Sequence, residues 1–295
     1  MFKSGFISII GRPNVGKSTL MNRIVGEKVA IISDKPQTTR NRIQAVYTEK
    51  DFQAVFLDTP GIHKPKNKLG DYMVNLSKET LNDVDLILWL VDDSPEIGPG
   101  DRFILDELKD VKTPKILVIN KIDNIKPDDV QHILDNYAEH EELFEAVIPI
   151  SATEGSGVAM LMENIKSMLP EGPQYFPEDT LTDQPERVIV SEIIREKALK
   201  YLEEEVPHGV AVGIERMKKR DNKDIVDIDS VIYVERESHK GIVIGKGGRK
   251  LKGIGKSARE DIERLLGSKV NLKIWVKVEK NWRDKENLIK QFGYI

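Results

Sequence analysis

Short and nearly continuous apolar runs recur through the first half of the chain, separated by amphipathic stretches. Such runs are typical of strands that are buried on both faces of a sheet. They predict strands at residues 6–10, 54–57, 85–91, 115–119 and 145–150, and an alternating pattern predicts another at 43–47. Amphipathic helices are predicted at 101–110 and 157–169. Strands that alternate with helices predict an α/β fold with a mostly parallel sheet.

The pattern changes after a proline-rich stretch at residues 170–177. Apolar positions beyond it predict the order helix, strand, strand, helix, Gly-rich loop, helix and strand, which is a smaller α+β unit. We therefore predict a first domain at residues 1–170, a connector at 171–185 and a second domain at 186–295. The tryptophans Trp89, Trp275 and Trp282 are expected to be packing residues rather than base-stacking residues.

Composition indicates a globular protein with room for two cores. The chain has 295 residues, of which 39% are hydrophobic and 32% charged. It contains no apolar run of about 18 residues, which a membrane-spanning helix needs, and the pattern of a signal peptide is absent. The absence of cysteine excludes disulfides and thiolate metal sites. We expect a cytoplasmic location.

The charge differs between the two halves. Residues 1–186 carry 20 Lys and Arg against 31 Asp and Glu, a net charge of −11, and residues 187–295 carry 25 against 18, a net charge of +7; the two add to the overall −4. Clustered positive charge gains by displacing condensed counterions from a polyanion. The imbalance favours a nucleic-acid partner for the second half, although a solvated surface explains it equally well.

A phosphate-binding loop follows the first predicted strand. Residues 11–18 fit the pattern G-x-x-x-x-G-K-[ST], whose glycines let backbone N–H groups surround a phosphate. Lys17 is expected between the β- and γ-phosphates, and the Ser18 hydroxyl is expected to bind Mg²⁺. A simple strand-to-helix turn is the alternative. The predicted contact residues are Gly11, Arg12, Pro13, Asn14, Val15, Gly16, Lys17, Ser18 and Thr19.

Two further segments complete the predicted phosphate and metal site. The polar loop at 33–40 contains a threonine that is expected to reach Mg²⁺; Thr39 is preferred and Thr38 is the alternative. The next strand leads into Asp58-Thr59-Pro60-Gly61, in which Asp58 is expected to hold a Mg²⁺-bound water and the Gly61 N–H the γ-phosphate. Ile62 follows this turn and belongs to the same predicted site.

The sequence Asn120-Lys121-Ile122-Asp123 at a strand end predicts guanine recognition. A carboxylate at Asp123 can accept from both N1–H and the exocyclic amino group of guanine, which adenine does not offer, so GTP is predicted rather than ATP. Asn120 and the stem of Lys121 are expected to frame the base. Ser151 and Ala152 follow the last strand, and the Ala152 N–H is expected to meet guanine O6.

Together these five segments resemble the Ras-like GTPase superfamily. The resemblance implies hydrolysis of GTP to GDP and phosphate with Mg²⁺ bound by Ser18, Thr39 and Asp58. Ile62 departs from Ras-type enzymes, which have a water-orienting glutamine there, and resembles translation-associated GTPases with a hydrophobic residue. In potassium-stimulated relatives an asparagine at the position of Asn14 helps hold K⁺. The implied catalytic residues are Asn14, Lys17, Thr39 and Gly61.

A second glycine motif lies in the basic half. Six basic and no acidic residues occupy 240–256, which contains Gly245-Lys246-Gly247-Gly248. Small residues let a sugar-phosphate chain approach closely, so the motif favours a clamp for single-stranded RNA beside an apolar groove. With the predicted order of elements it resembles the type II KH domain. The predicted RNA-binding residues are Ile244, Gly245, Lys246, Gly247, Gly248, Arg249 and Lys250.

A Ras-like domain followed directly by a KH domain resembles the Era family of bacterial ribosome-assembly GTPases. The segments 191–197, 272–278 and 292–294 and Trp282-Arg283 are similar to that family, so the resemblance covers the whole chain. It implies binding near the 3′ end of 16S ribosomal RNA, a role in maturation of the 30S subunit, peripheral association with the cell membrane and a monomeric state. The alternative is a GTPase timer whose basic domain docks on a protein or an anionic membrane; an ATP-driven enzyme is a more distant one.

Overall fold

The structure is a computed structural model that describes residues 1–33, 35, 38–40, 42–60, 67–81 and 83–294, except the side chains of residues 77–79. In these residues the chain forms two compact units. The first comprises the described parts of Met1–Ala30, Thr39–Lys66 and Gly70–Asp183, and the second those of Ile31–Thr38, Asn67–Leu69 and Gln184–Ile295. No helix in the described part of the chain is long and apolar enough to cross a membrane.

The first unit is built on a six-stranded sheet. Its strands are β1 (Lys3–Gly11), β2 (Ile43–Thr48), β3 (Phe52–Asp58), β4 (Leu86–Val91), β5 (Lys115–Ile119) and β6 (Ala146–Pro149). The helices in this part of the chain are α1 (Lys17–Val25), α2 (Lys68–Thr80), α3 (Pro99–Leu108), α4 (Pro127–Ala138) and α5 (Val158–Met168). The strand order is β2-β3-β1-β4-β5-β6, and only the β2–β3 pair is antiparallel. The predicted mostly parallel α/β sheet is confirmed, and loops after its parallel strands share one edge.

Both faces of this sheet are covered. The even-numbered residues of β4 join a core with side chains of α1 and α5. The odd-numbered residues of β4 join a second core with side chains of α3 and α4. Every residue of β4 is therefore buried, which explains the unbroken apolar run in the sequence.

The second unit is a smaller α+β structure, as predicted. Its elements are α6 (Glu186–Tyr201), β7 (Ala211–Lys219), β8 (Ile225–Val234), α7 (Glu237–Ile244), α8 (Arg249–Leu266), β9 (Lys269–Val278) and α9 (Glu286–Gln291). The sheet order is β7-β8-β9, with β7 antiparallel and β9 parallel to β8. One core joins the apolar faces of α6 and α8 to this sheet. The glycine motif lies between α7 and α8, where the pattern predicts it.

The proline-rich stretch after α5 follows the surface of the first unit. Gln53, which is fully buried, accepts hydrogen bonds at Oε1 from the N–H groups of Tyr175 and Phe176. Farther along, the Leu181 carbonyl accepts from the Val46 N–H at 2.9 Å. The chain is thus hydrogen bonded to β2 and β3 well beyond residue 170, and the limits 1–170, 171–185 and 186–295 stay a prediction.

Candidate nucleotide and RNA sites

The phosphate loop joins the end of β1 to the start of α1 and requires two of its glycines. Gly11 has φ 151°, and a Cβ there would lie 2.4 Å from the Leu90 carbonyl oxygen. Gly16 has φ 103°, and its Cβ would lie 2.2 Å from Asn120 Nδ2. Only glycine meets both conditions, because L side chains avoid positive φ. The loop therefore presents bare backbone at the N-terminus of α1, which favours an anion.

The other predicted loop residues have different environments. Asn14 is exposed and adopts a left-handed conformation with φ 68°, whereas Val15 is fully buried under the loop. Pro13 is half-buried, and Thr19 lies in the first turn of α1. Arg12 is engaged with acidic side chains, so its guanidinium is not directed into bulk solvent. The segment is thus anchored at Val15 and exposed at Asn14.

Lys17 is buried within the loop that it is expected to serve. Its Nζ donates to the carbonyl oxygens of Gly11 at 3.1 Å and Arg12 at 2.9 Å. Burial lowers the pKa of Lys17 to about 8, and the nearby Asp58 opposes this shift only in part. A phosphate at the loop would restore the preference for the charged form. The geometry and the pKa thus both fit a nucleotide phosphate group.

Three oxygen-bearing side chains from separate segments meet beside Lys17. Ser18 Oγ lies 2.6 Å from Asp58 Oδ2, and Thr39 Oγ1 lies 3.3 Å from the same oxygen and 3.2 Å from Ser18 Oγ. Burial raises the pKa of Asp58, although Lys17, Ser18 and Thr39 oppose the shift. Asp58 Oδ1 is buried without a hydrogen-bond partner among the described residues. This oxygen-only set fits Mg²⁺, which prefers hard oxygen ligands.

The structure distinguishes between the two candidate threonines. The Thr38 hydroxyl donates to the Lys35 carbonyl, whereas the Thr39 hydroxyl lies against Ser18 and Asp58. Thr39 and not Thr38 thus lies with the other two oxygen-bearing side chains. The preference for Thr39 as a Mg²⁺ ligand stays a prediction.

The segment after β3 is described only in part. Thr59 is fully buried and donates to the Ile9 carbonyl at 3.2 Å, which fixes the start of the loop. Its side chain is thus engaged with β1. Pro60 is the last described residue of this motif. Gly61 and Ile62 lie outside the described residues, and their expected roles stay predictions.

Asn120 is hydrogen bonded to two loops, and its expected place beside the base stays a prediction. Its Nδ2 donates to the Val15 carbonyl at 2.8 Å, and its Oδ1 accepts from the Ala152 N–H at 2.9 Å. Asn120 is only 2% exposed. Its two hydrogen bonds connect the phosphate loop to the Ser151-Ala152 loop. The Ala152 N–H is thus engaged with Asn120 in this structure, and its expected contact with guanine O6 stays a prediction.

The base-recognition side chains lie at the carboxyl edge of the sheet. Lys121 adopts a left-handed conformation with φ 67°, and a short 3₁₀ turn at Ile122–Asn124 follows it. Asp123 is exposed on this turn. Ser151 is buried, and its Oγ accepts from the Glu154 N–H at 3.0 Å, which shapes the neighbouring loop. Asp123 is thus exposed, whereas Asn120 and Ser151 of the neighbouring loops are buried. An exposed carboxylate fits the predicted contact with a guanine edge.

The glycine motif of the second unit has the backbone of a tight clamp. Gly245, Gly247 and Gly248 have φ of 72°, 61° and 75°. A Cβ at Gly247 or Gly248 would meet nothing within 4 Å, so the surface there is open. At Gly245 a Cβ would lie 2.9 Å from Lys250 Cγ, so the lysine stem packs on the loop. The motif thus combines left-handed turns with free access for a backbone, as predicted for RNA.

A groove of about 740 Å³ runs from this motif along α8 and β9. It is lined by Gly248, Arg249, Leu251, Lys252, Gly253, Gly255, Lys256, Arg259, Leu272 and Ile274. Four of these side chains are cationic and none is acidic. Apolar side chains from α8 and β9 supply a surface for bases, and the cations suit the phosphates.

Only some of the residues that line this groove are predicted from the sequence. Lys246 is exposed on the clamp loop, and the stem of Lys250 packs against it, but neither side chain lines the groove. Lys252, Lys256 and Arg259 do line it. Their spacing of four and three residues puts them on one helical face, which is the signal that the sequence offers for them.

Comparison with known proteins identifies a GTPase domain and a KH domain in this chain. Residues 6–121 match the family model of the 50S ribosome-binding GTPase, and residues 205–283 match that of the KH domain. The chain is 63% identical over 295 residues to the GTPase Era of Clostridioides difficile (strain 630), covering 100% of this chain and 99% of that protein. It is 62% identical to the GTPase Era of Alkaliphilus metalliredigens over 99% of each chain.

A solved structure extends the similarity to three dimensions. A crystal structure of Era in complex with MgGDPNP and nucleotides 1506–1542 of 16S ribosomal RNA superimposes with a TM-score of 0.96 and 43% identity, over 100% of this chain and 99% of that one. Both units are therefore included in the likeness. With such identity over its full length to curated relatives, the chain belongs to the Era family of GTPases.

Proposed function

We propose that the protein hydrolyses GTP in its first unit and that its nucleotide state controls how the second unit binds unpaired ribosomal RNA. Ser18, Thr39 and Asp58 would hold Mg²⁺, which supplies positive charge beside the β- and γ-phosphates. Lys17 would stabilise the charge that develops there, and the Gly61 N–H would orient the γ-phosphate. The described residues offer charge and positioning rather than a protein base, which suits phosphoryl transfer.

The observation that carries this proposal is the chain connection between the metal site and the RNA-binding unit. The described residues of Ile31–Thr38, which directly precede Thr39, belong to the second unit. Within that unit Arg195 of α6 donates to the Thr38 carbonyl, and Glu196 accepts from the Ile32 N–H at 3.4 Å. Arg195 and Glu196 are buried. We propose that Thr39 is held in place only when GTP and Mg²⁺ are bound. The nucleotide would thus change the mobility of the preceding segment, which is anchored on α6.

The RNA target follows from the family and from the groove. A crystallised relative holds nucleotides 1506–1542 of 16S ribosomal RNA, and this chain matches it over its whole length. We infer that the protein binds the 3′ region of 16S ribosomal RNA and acts in assembly of the 30S subunit. A groove that combines apolar side chains with four cations favours unpaired bases over an anionic membrane. A cytoplasmic monomer with peripheral membrane association completes the proposal.

Binding of a fluorescently labelled 3′-terminal fragment of 16S ribosomal RNA tests the switch. Fluorescence anisotropy is expected to give an affinity about tenfold different with a non-hydrolysable GTP analogue and with GDP. Arg195→Met removes the contact with Thr38 and should bring the two affinities together. Arg187→Met, an exposed arginine on the same helix, should leave the difference intact. Equal affinities of the wild type in both nucleotide states would refute the switch, and tighter binding to anionic vesicles than to RNA would support the membrane alternative.

Potassium dependence tests the proposed role of Asn14. We expect wild-type GTP hydrolysis to be faster in KCl than in NaCl, because an ion held at the phosphate loop would stabilise transition-state charge. Asn14→Ala should abolish this difference, while Asn164→Ala in α5 should retain it. Steady-state phosphate release in the two salts measures the effect. Identical wild-type rates in both salts would eliminate the potassium hypothesis.

A further inference from the structure

Arg12 of the phosphate loop is bound to two carboxylates that the sequence motifs do not include. Its Nη2 lies 2.8 Å from Asp92 Oδ1, and its Nε lies 2.7 Å from Asp101 Oδ2. Asp92 directly follows β4, and Asp101 lies in the first turn of α3. The Asp101 side chain is 2% exposed, and that of Asp92 is 15% exposed. The first turn of the phosphate loop is therefore attached to two neighbouring elements, by a charged hydrogen bond to Asp92 and by an ion pair with Asp101.

The start of α3 is shaped to admit the arginine. A Cβ on Gly100 would lie 2.7 Å from Arg12 Cδ and 3.1 Å from its Cγ. The arginine stem therefore crosses directly over Gly100, and a larger residue would displace it. Close packing of the stem together with two ion pairs restricts Arg12 to one orientation.

Asp92 also faces the guanine-recognition loop. Its Oδ1 accepts from the Ser94 hydroxyl at 2.6 Å, and its Oδ2 lies 3.7 Å from Lys121 Nζ. Burial would raise the pKa of Asp92, but Ser94, Arg12 and Lys121 together lower it. One carboxylate thus contacts a residue of the phosphate loop and a residue of the base loop. At Asp101 the pKa is raised because burial outweighs the effect of Arg12.

We propose that Arg12, Asp92 and Asp101 are positioning residues that hold the phosphate loop and the guanine-recognition loop at a fixed separation, and that this separation sets how long a guanine nucleotide stays bound. The inference rests on the proposed nucleotide site. A nucleotide must engage both loops at once, so a small displacement between them weakens both contacts together. Loss of contacts in one site mainly accelerates dissociation, because association rates vary far less.

Dissociation of mant-GDP after a chase with excess GDP tests this proposal by stopped flow. Arg12→Met, Asp92→Asn and Asp101→Asn are each expected to accelerate release about 10- to 100-fold. Because Arg12 and Asp92 share one contact, the double variant Arg12→Met/Asp92→Asn should accelerate release by less than the product of the two single effects. Arg12→Lys, which keeps the charge but loses the fork, should give an intermediate rate.

The matched control lies on the same helix. Asp106 of α3 pairs with Lys109 at 2.7 Å, but both side chains are exposed, so Asp106→Asn should stay within about twofold of the wild type. In the variants with altered Arg12 contacts, KM for GTP should rise more than kcat falls, because none of the three residues contacts the Ser18, Thr39 and Asp58 set. A purely structural role would instead lower the thermal stability in saturating GDP without changing release.

Two results would overturn the proposal. Release rates of Asp92→Asn and Asp101→Asn within about twofold of the wild type would show that the carboxylates do not govern nucleotide dwell time. Multiplication of the two single effects in the double variant would show that Arg12 and Asp92 act separately. A wild-type protein that failed to retain mant-GDP at all would refute the nucleotide site itself, so the two failures are distinguishable.

Discussion

Replacement of Asp123 by asparagine is expected to change the preference of the protein for GTP over XTP by about four orders of magnitude. The carboxylate is proposed to accept from guanine N1–H and from the exocyclic amino group. The NH₂ group of an asparagine would face the amino group of guanine, so that two donors would oppose each other. Xanthine has a carbonyl at that position, to which the asparagine NH₂ can donate. Competition of GTP and of XTP against mant-GDP gives the ratio of the two affinities, which is compared between wild type and variant.

A second aspartate provides the control for this experiment. Asp128 lies in the first turn of α4 and is exposed, as Asp123 is. Asp128→Asn removes the same charge from a nearby part of the chain and should leave the GTP preference unchanged. Unaltered selectivity in Asp123→Asn, or wild-type binding of ATP as tight as that of GTP, would contradict guanine recognition by this loop.

Gly247→Asp is expected to weaken binding of the 16S ribosomal RNA fragment about 100-fold or more. The residue lies at φ 61° on open surface in the clamp, beside Lys246 and Arg249. An aspartate would place a negative charge and a Cβ where we propose that the sugar-phosphate backbone approaches. Anisotropy or filter retention of the labelled RNA measures the loss, and GTP hydrolysis without RNA should be unaffected.

The chain offers a close control for this substitution as well. Gly267, just after α8, has φ 60°, and a Cβ there would also meet nothing within 4 Å. Gly267→Asp thus introduces the same charge and the same left-handed strain outside the clamp. It should retain RNA binding. An equal loss in both variants would indicate that destabilisation or net charge, rather than the clamp, explains the result.

The strands and motifs that the sequence predicts share a local signal. β4 and β5 are buried throughout, so their apolar runs are unbroken. Helix α4 lacks such a signal, because only Ile133 and Tyr137 are buried along a mostly polar stretch. Helix α9 has six residues with one buried side chain, Ile289. Elements that bury few side chains carry too little periodicity to be recognised.

The candidate sites also contain some residues that local sequence identifies and others that only packing brings together. The phosphate loop and the clamp are contiguous, so their residue types and spacing identify them. The hydrogen bond from Asn120 to the Val15 carbonyl joins positions 105 residues apart, which no local spacing reveals. Leu272 and Ile274 enter the RNA groove only because β9 packs beside α8. Contacts created by packing therefore cannot be predicted from local sequence, whereas contiguous motifs can.

The tryptophans show how one rule gives two results. Trp89 and Trp282 are fully buried, as expected. Trp275 is 46% exposed, so its ring is only partly packed, and the expectation that it does not stack on bases stays a prediction. Its neighbour Val276 is buried, and adjacent side chains of a strand point to opposite faces of the sheet. Size and apolarity alone therefore did not determine which face of β9 carries the ring.

The hydrogen bonds between the proline-rich stretch and β2 have a consequence for dissecting the molecule. β2 is an edge strand of the large sheet, and the chain around Leu181 and Thr182 occupies its outer side. Uncovered outer strands are templates for pairing with other molecules, and proteins commonly cover them. A fragment cut at residue 170 would expose this strand and invite self-association, whereas one that ends after Asp183 would keep its own cover.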